Sequence, residues 1–479
     1  MQNDKYLYKL VVKKDCPTCQ LILPVVQELS NRFGEQLSVF VQDEMDFFAS
    51  SANCIDDGSL EFSYRNNIEI VPTLVKFDGD SEVDRVYGWV KQEWAQLCGI
   101  ENLAQELPER RPGCGSLSVD PNNIEKLQLQ FGDHGLSSRQ FISNEEDAEE
   151  LCYERGWTDG LPVVPPTPAR VLRMLGTVEG KPGDIIGAIP PNYAECSLEK
   201  LAINAVMAGC KPEYFPVVLA TVVAALQDEF CLHGLLCTTY FSSPVVIVNG
   251  PVAKKIGMNG GNNALGQGNR ANATIGRALQ LLVRNVGDGR PGEIDRATLG
   301  NPGKYTFCFA EDESDTDWPT LAQDQGFSRE QSAVSVFAGD GVQAIVDQRS
   351  RTAESLIKSL AQSLKVVAHS KLWGMADAIL VVSPEHRRVL RESGCSKAQF
   401  REQLMRELSA PGSELIRGAQ GIAEGMPEAL KDKTLTKFRE GGLHIVSAGG
   451  TAGLFSAIIS GWVATGKMGS SLVTRAIDS

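Results

Sequence analysis

The strongest constraint on this chain lies in residues 6–33. An apolar run, YLYKLVVK at 6–13, leads directly into Cys16-Pro17-Thr18-Cys19, and LILPVVQELSNRF follows with apolar residues at helical spacing. A buried strand that hands two cysteines to the start of a helix aims the first thiol at unpaired backbone N–H groups and the positive end of the helix dipole. Both stabilise a thiolate. Two intervening residues put Cys19 one turn along, where it can resolve a mixed disulfide formed at Cys16. Pro17 suits a first helical turn, because an N–H there has no intrahelical partner to lose. A CxxC can also be half of a zinc site, but residues 1–100 hold no second CxxC or nearby CxxH. The context favours redox chemistry.

A second strand is expected at 37–42 and a helical segment near 57–67. IEIVPTLVKFDGDSEVDRVYGW then reads as two strands joined at Asp78-Gly79-Asp80, and VKQEWAQLCGI as a closing helix. The order is strand, helix, strand, helix, hairpin, helix. The expected domains are 1–107, a linker at 108–150 opened by the Pro-, Arg- and Gly-rich PERRPGCGSLSVDPNN, and a larger domain at 151–479. A chain of 479 residues is too long for one core. In 151–479, SPVVIVNG, ADAILVV and GLHIVS each read as a strand leading into a turn and a helix. The expected fold class is therefore α/β, with a mostly parallel sheet in this larger domain.

The net charge of −14 argues against a nucleic-acid or anionic-membrane partner, since phosphate binding needs a basic face. No signal peptide is expected from MQNDKYLYKLVVKKDC, and FPVVLATVVAAL is short of the ~20 residues that span a bilayer. The expected location is cytoplasmic, where twelve scattered cysteines read as catalytic or buried thiols rather than a disulfide scaffold.

Cys16-Pro17-Thr18-Cys19 with the following helix, Ile70-Val71-Pro72-Thr73-Leu74 and the hairpin resembles the thioredoxin/glutaredoxin superfamily over the first ~105 residues. The resemblance implies a thioredoxin-like fold. It also implies a cis peptide bond at Pro72, which with Thr73 would orient an incoming thiol or peptide against the cysteine pair. Two positions depart from thioredoxins: Asp15 stands where they have Trp, and Leu10 where they have a buried Asp. CPTC is closer to the glutaredoxin style.

From Glu154 onward the chain is similar to an uncharacterised bacterial family that often carries a thioredoxin-like N-terminal half. The matching stretches are Glu154-Arg155-Gly156-Trp157-Thr158-Asp159-Gly160-Leu161-Pro162, Asn204–Cys210 and Gly268–Arg277. No activity comes with that likeness.

Further candidates come from the residues themselves. Cys114, between glycines and after Arg110-Arg111, reads either as an exposed reactive thiol on a flexible arm or as a loop cysteine without a role. The glycine-rich run 257–268, with Gly266 and Gly268 before a helix, is a candidate anion site. Arg270, Arg277 and Arg284 share one face of that helix, and bind a carboxylate or phosphate or form a solvated stripe. Asp159 is a further candidate substrate contact. His386, after strand AILVV with Ser383 as N-cap, is the candidate acid–base group, or else a surface histidine on a helix start. Gly449–Gly453 reads as a second phosphate-facing turn and His444 as core; Cys231, His233 and Cys237 offer three potential zinc ligands, but their spacing matches no zinc signature and the flanks are apolar, which favours buried cysteines. The run 311–317 reads as a solvated acidic loop.

The functional expectation is a thiol–disulfide oxidoreductase in which Cys16 attacks and Cys19 resolves. Electrons would pass through Cys114 to a small oxidised substrate in a crevice near Arg270 and His386. No cofactor or metal is expected. Expected partners are a small-molecule or protein disulfide and, as electron donor, a thiol or an NADPH-linked reductase; a homo-oligomer is left open. Two alternatives stand beside this: a thiol-dependent transferase, lyase or reductase of a small anion centred on the larger domain, and a non-enzymatic redox-sensing interaction protein.

Overall fold

The computed structural model describes residues 6–48, 53–132, 135–137, 147–415, 426–462 and 469–478. The chain divides into two compact units, Met1–His134 and Gly135–Ser479.

The centre of the first unit is strand Tyr6–Val12. On one side it pairs in parallel with Leu37–Val41, which pairs in parallel with Cys54–Asp56. On the other side it runs antiparallel to Thr73–Asp78, which forms a hairpin with Ser81–Tyr87. Leu10, Val11 and Val12 alternate in direction yet are all fully buried, so both faces of the sheet are covered. Helix Leu23–Phe33 contributes Val25, Val26 and Leu29 to this core, and helix Lys91–Cys98 contributes Trp94 and Leu97. Each such side chain, fully buried, contributes roughly 1.5–3 kcal/mol. The indole N–H groups are not stranded: Trp94 donates to the Gly88 carbonyl at 2.9 Å and Trp89 to that of Pro108 at 2.7 Å.

Two expectations about this unit need correction. The helix after the cysteines is two helices, Pro17–Leu21 and Leu23–Phe33, because Pro24 has no N–H to continue the ladder. The boundary at 107 is also too early, because the first part of the expected linker belongs to this unit. Arg110–Arg111 pairs with Trp89–Val90, Cys114–Gly115 pairs with Ile70–Val71, and helix Pro121–Phe131 follows. Pairings two residues long carry no periodicity, so composition alone made this stretch look like a linker.

Among the described residues, the second unit is built on a seven-stranded sheet. It is mixed, which corrects the mostly parallel expectation. Ser243–Asn249 with Cys308–Ala310 and Ala376–Val382 with Phe438–Ser447 are the parallel pairs. The long strand Ala333–Val346 runs antiparallel to Ser243–Asn249, Phe455–Gly461 and Val473–Ala476, and Ala376–Val382 runs antiparallel to Phe455–Gly461. The residues after Gly453, expected as a helix, are this returning strand. Helices Leu198–Ala208, Phe215–Ala225 and Arg270–Asn285 share one apolar cluster, while Ala353–Leu364 and Lys397–Glu407 share another. Helix Pro168–Leu175 starts at Thr167, and the LPVV before it is irregular chain. No single helix among the described residues is long and apolar enough to cross a membrane.

Candidate active site

Cys16 is the N-cap of the short helix Pro17–Leu21, in extended backbone conformation, and its sulfur accepts from the Cys19 N–H at 3.4 Å. As a thiol it donates to the Val71 carbonyl at 3.5 Å. The Val71–Pro72 peptide bond is cis. Pro72 and Thr73 are buried, with the Thr73 hydroxyl donating to the Ile70 carbonyl at 2.7 Å and the Pro72 carbonyl accepting from Gly88 N–H at 2.7 Å.

Three thiols meet here. Cys16 is hydrogen-bonded by the thiols of Cys19 and Cys114, and it accepts from the backbone N–H groups of Cys19 and Thr18. The Cys19 hydrogen bond is the largest influence. Together these donors outweigh burial and bring Cys16 from 9.0 down to about 5. Cys19 goes strongly the other way, first through burial and then because its hydrogen bond to Cys16 and the nearby negative charge favour its thiol form. Burial, then the hydrogen bond to Cys16, pushes the Cys114 thiol up as well. The result is one ready thiolate and two protonated neighbours.

Cys114 is therefore not on a flexible arm. It stands opposite Val71 in an antiparallel pairing, and the adjoining chain is tied down on both sides. The Thr18 hydroxyl donates to the Pro112 carbonyl at 2.6 Å. Gln42, 3 % exposed, donates to the Ser116 hydroxyl at 2.6 Å and accepts from Leu117 N–H at 3.1 Å. Beside this strap, Cys16 and Cys19 have no exposed surface, while Cys114 is partly exposed. Thr18 and Gln42 escaped sequence reasoning, because a buried amide is informative only once its partners are known.

The second unit does not assemble its candidates into one site. Arg277 and Asp159, each expected to touch substrate, bind each other: Nε to Oδ2 at 2.8 Å and a terminal nitrogen to Oδ1 at 2.7 Å. Arg270 donates to the Gly209 carbonyl at 2.9 Å and lines a cavity of about 170 Å³ with Arg170, Arg173, Lys211 and Cys210. Burial pushes the Cys210 thiol up to about 12, so it is no nucleophile near neutrality. Arg284 lies elsewhere, on a cavity of about 520 Å³ that also includes Ser243 and Lys304.

The helix that follows Gly268 is capped by Asn269, whose side chain accepts from Asn272 N–H at 3.0 Å. Asn272 in turn holds the glycine-rich loop through both backbone groups of Asn259. Part of that loop, Asn263–Gly266, meets Gly449 and Gly450 around a cavity of about 400 Å³, together with Ser383. Gly268 is outside that lining. His386 is fully buried, not at a crevice: Nδ1 lies 2.7 Å from the Ser456 hydroxyl and Nε2 3.1 Å from the Asp347 carbonyl. With both ring nitrogens engaged inside the fold, it holds packed elements together.

His444 is buried in its strand, and burial draws it down to about 4. His233 lies 3.6 Å from Cys237 and stacks on Tyr193. The acidic run is only partly solvated. Glu311 is buried and accepts from Asn249 and from Leu321 N–H, while Asp312 and Asp315 pair with Arg387.

Neither a family model nor a curated protein matches the chain. Two solved structures match a part of it. One is a secreted disulfide oxidoreductase of Mycobacterium tuberculosis described as homologous to E. coli DsbE; it is 12% identical, with a TM-score of 0.17, over 20% of this chain and 81% of that one. The other is the exposed lipoprotein thioredoxin of Streptococcus pneumoniae strain TIGR4, 20% identical with a TM-score of 0.16, over 20% of this chain and 85% of that one.

Proposed function

We propose that the chain is a thiol–disulfide oxidoreductase whose chemistry is centred on Cys16 and Cys19. One observation carries this reading: the Cys16 sulfur caps a helix N-terminus, accepting from the Cys19 N–H at 3.4 Å, and lies against Val71 of the cis Val71–Pro72 bond. Cys16 has no exposed surface in the closed fold, so local opening comes first; its thiolate then attacks one sulfur of a disulfide R–S–S–R′, forming Cys16–S–S–R and expelling R′–S⁻, which takes up a proton from solvent. Cys19 then attacks the Cys16 sulfur. The Cys16–Cys19 disulfide forms, the bond to R breaks, and the Cys19 proton leaves with R–SH. A thiol or an NADPH-linked reductase restores the dithiol.

The burial that holds Cys19 protonated keeps it from attacking early, and the loss of charge on Cys16 in the mixed disulfide eases its ionisation. The second unit is the partner that supplies or receives a small anionic molecule, for which the four cations around the Arg270 cavity are the best-supported lining. The test is steady-state reduction of glutathione disulfide by the full-length chain with dithiothreitol as donor. Cys16→Ser abolishes turnover on this reading, and unchanged turnover removes it.

A further inference from the structure

Cys19 is not the only thiol placed to finish the reaction. Cys114 neighbours Cys16 closely enough for each thiol to shift the other, in a strand that pairs with Ile70–Val71 just ahead of Pro72. The same Val71 residue that faces Cys114 in register offers its carbonyl to Cys16. Cys114 is held there by bonds on both flanks, Thr18 to Pro112 and Gln42 to Ser116, so its approach is built into the fold. It also retains partial exposure, which the enclosed Cys19 lacks.

We propose that Cys114 is a second resolving thiol, competing with Cys19 for mixed disulfides formed at Cys16. This rests on the reading of Cys16 as the attacking thiolate. In the Cys16–S–S–R intermediate, the Cys114 sulfur attacks the Cys16 sulfur. The Cys16–Cys114 bond forms, the Cys16–R bond breaks, and the Cys114 proton leaves with R–SH. Cys19 then attacks Cys16 in a second exchange, forming Cys16–Cys19 and returning Cys114 to its thiol. Two electrons reach the substrate by either route, and no further oxidant is needed. The third thiol gives the site a second way to discharge a substrate, from a sulfur that is partly exposed where Cys19 is enclosed.

The test uses glutathione disulfide and non-reducing tryptic mapping of the full-length chain. Trypsin releases Cys16 and Cys19 together on the peptide Asp15–Arg32. Cys114 leaves on Arg111–Lys126, because the bond before Pro112 resists cleavage. In Cys19→Ser, the expected product is these two peptides joined by a disulfide. The glutathione adduct on Cys16 then falls about tenfold or more below that in Cys19→Ser/Cys114→Ser, because a tethered neighbouring thiol acts at high effective concentration. Buried Cys98 staying unmodified shows that each variant is folded.

Equal adduct in the single and double variants, with no joined peptides, overturns the role of Cys114 and leaves Cys16 chemistry standing. No adduct on Cys16 in either variant, with turnover untouched by Cys16→Ser, removes the underlying reading and this one with it.

Discussion

Gly113→Ala tests whether the strap is what encloses the thiols. A Cβ on Gly113 would stand 2.8 Å from the Val71 carbonyl oxygen and 3.2 Å from Gly88 Cα, and closer still to Ile70 Cγ2. Ordinary carbon contacts lie at about 3.5–4.0 Å, and the first two obstacles are backbone, which cannot rotate away. The strap must lift. Overpacking of this kind costs about 1–3 kcal/mol. The Thr18–Pro112 hydrogen bond, worth about 1 kcal/mol, is strained with it. Taking about 2 kcal/mol as the net effect, the open population rises roughly thirtyfold.

Because Cys16 has no exposed surface, its alkylation by iodoacetamide follows opening, and the rate rises by the same factor. The rate is read by mass spectrometry at neutral pH, with Cys98 in the same core as the control for global unfolding. A Cys16 rate within about twofold of the wild type, at unchanged thermal stability, would refute the argument that residues 112–115 close the site.

Three further outcomes are expected. Thiolate absorbance of the reduced chain, taken as wild type minus Cys16→Ser, is lost on acidification with a midpoint of about 5; a midpoint near the ordinary 9.0 contradicts the donor arrangement around Cys16. The sign for stability is that of a depressed folded-state value: the contribution is complete above the unfolded thiol's range and disappears as pH falls through about 5, so the reduced first unit gains stability as pH rises across that window. In the second unit, Arg277→Ala leaves Asp159, 12 % exposed, without its bidentate partner; urea unfolding should show a loss of about 3 kcal/mol, and a loss under about 0.5 kcal/mol would return Arg277 to the class of solvated arginines.

What was legible in the sequence was local. The strand at 6–12, the cysteine pair at a helix start, the hairpin turn around Gly79 and the helix at 270–285 each follow from preferences within about ten residues: apolar periodicity, a capping side chain, a turn glycine. What the sequence left open depended on partners far along the chain. Cys114 reads as a linker residue until a two-residue pairing sets it beside Cys16, and that pairing is too short to leave a pattern.

Arg277 has the same charge whether it binds a ligand or Asp159; only the fold decides which carboxylate shares its desolvated surroundings. His386 lies at the strand–helix junction its neighbours predict, yet packing turns it inward onto Ser456 and Asp347. Strand direction follows the same rule. Apolar runs announce strands, but whether neighbours run parallel is settled by the backbone hydrogen bonds each finds across the sheet, and Ala333–Val346 finds antiparallel ones.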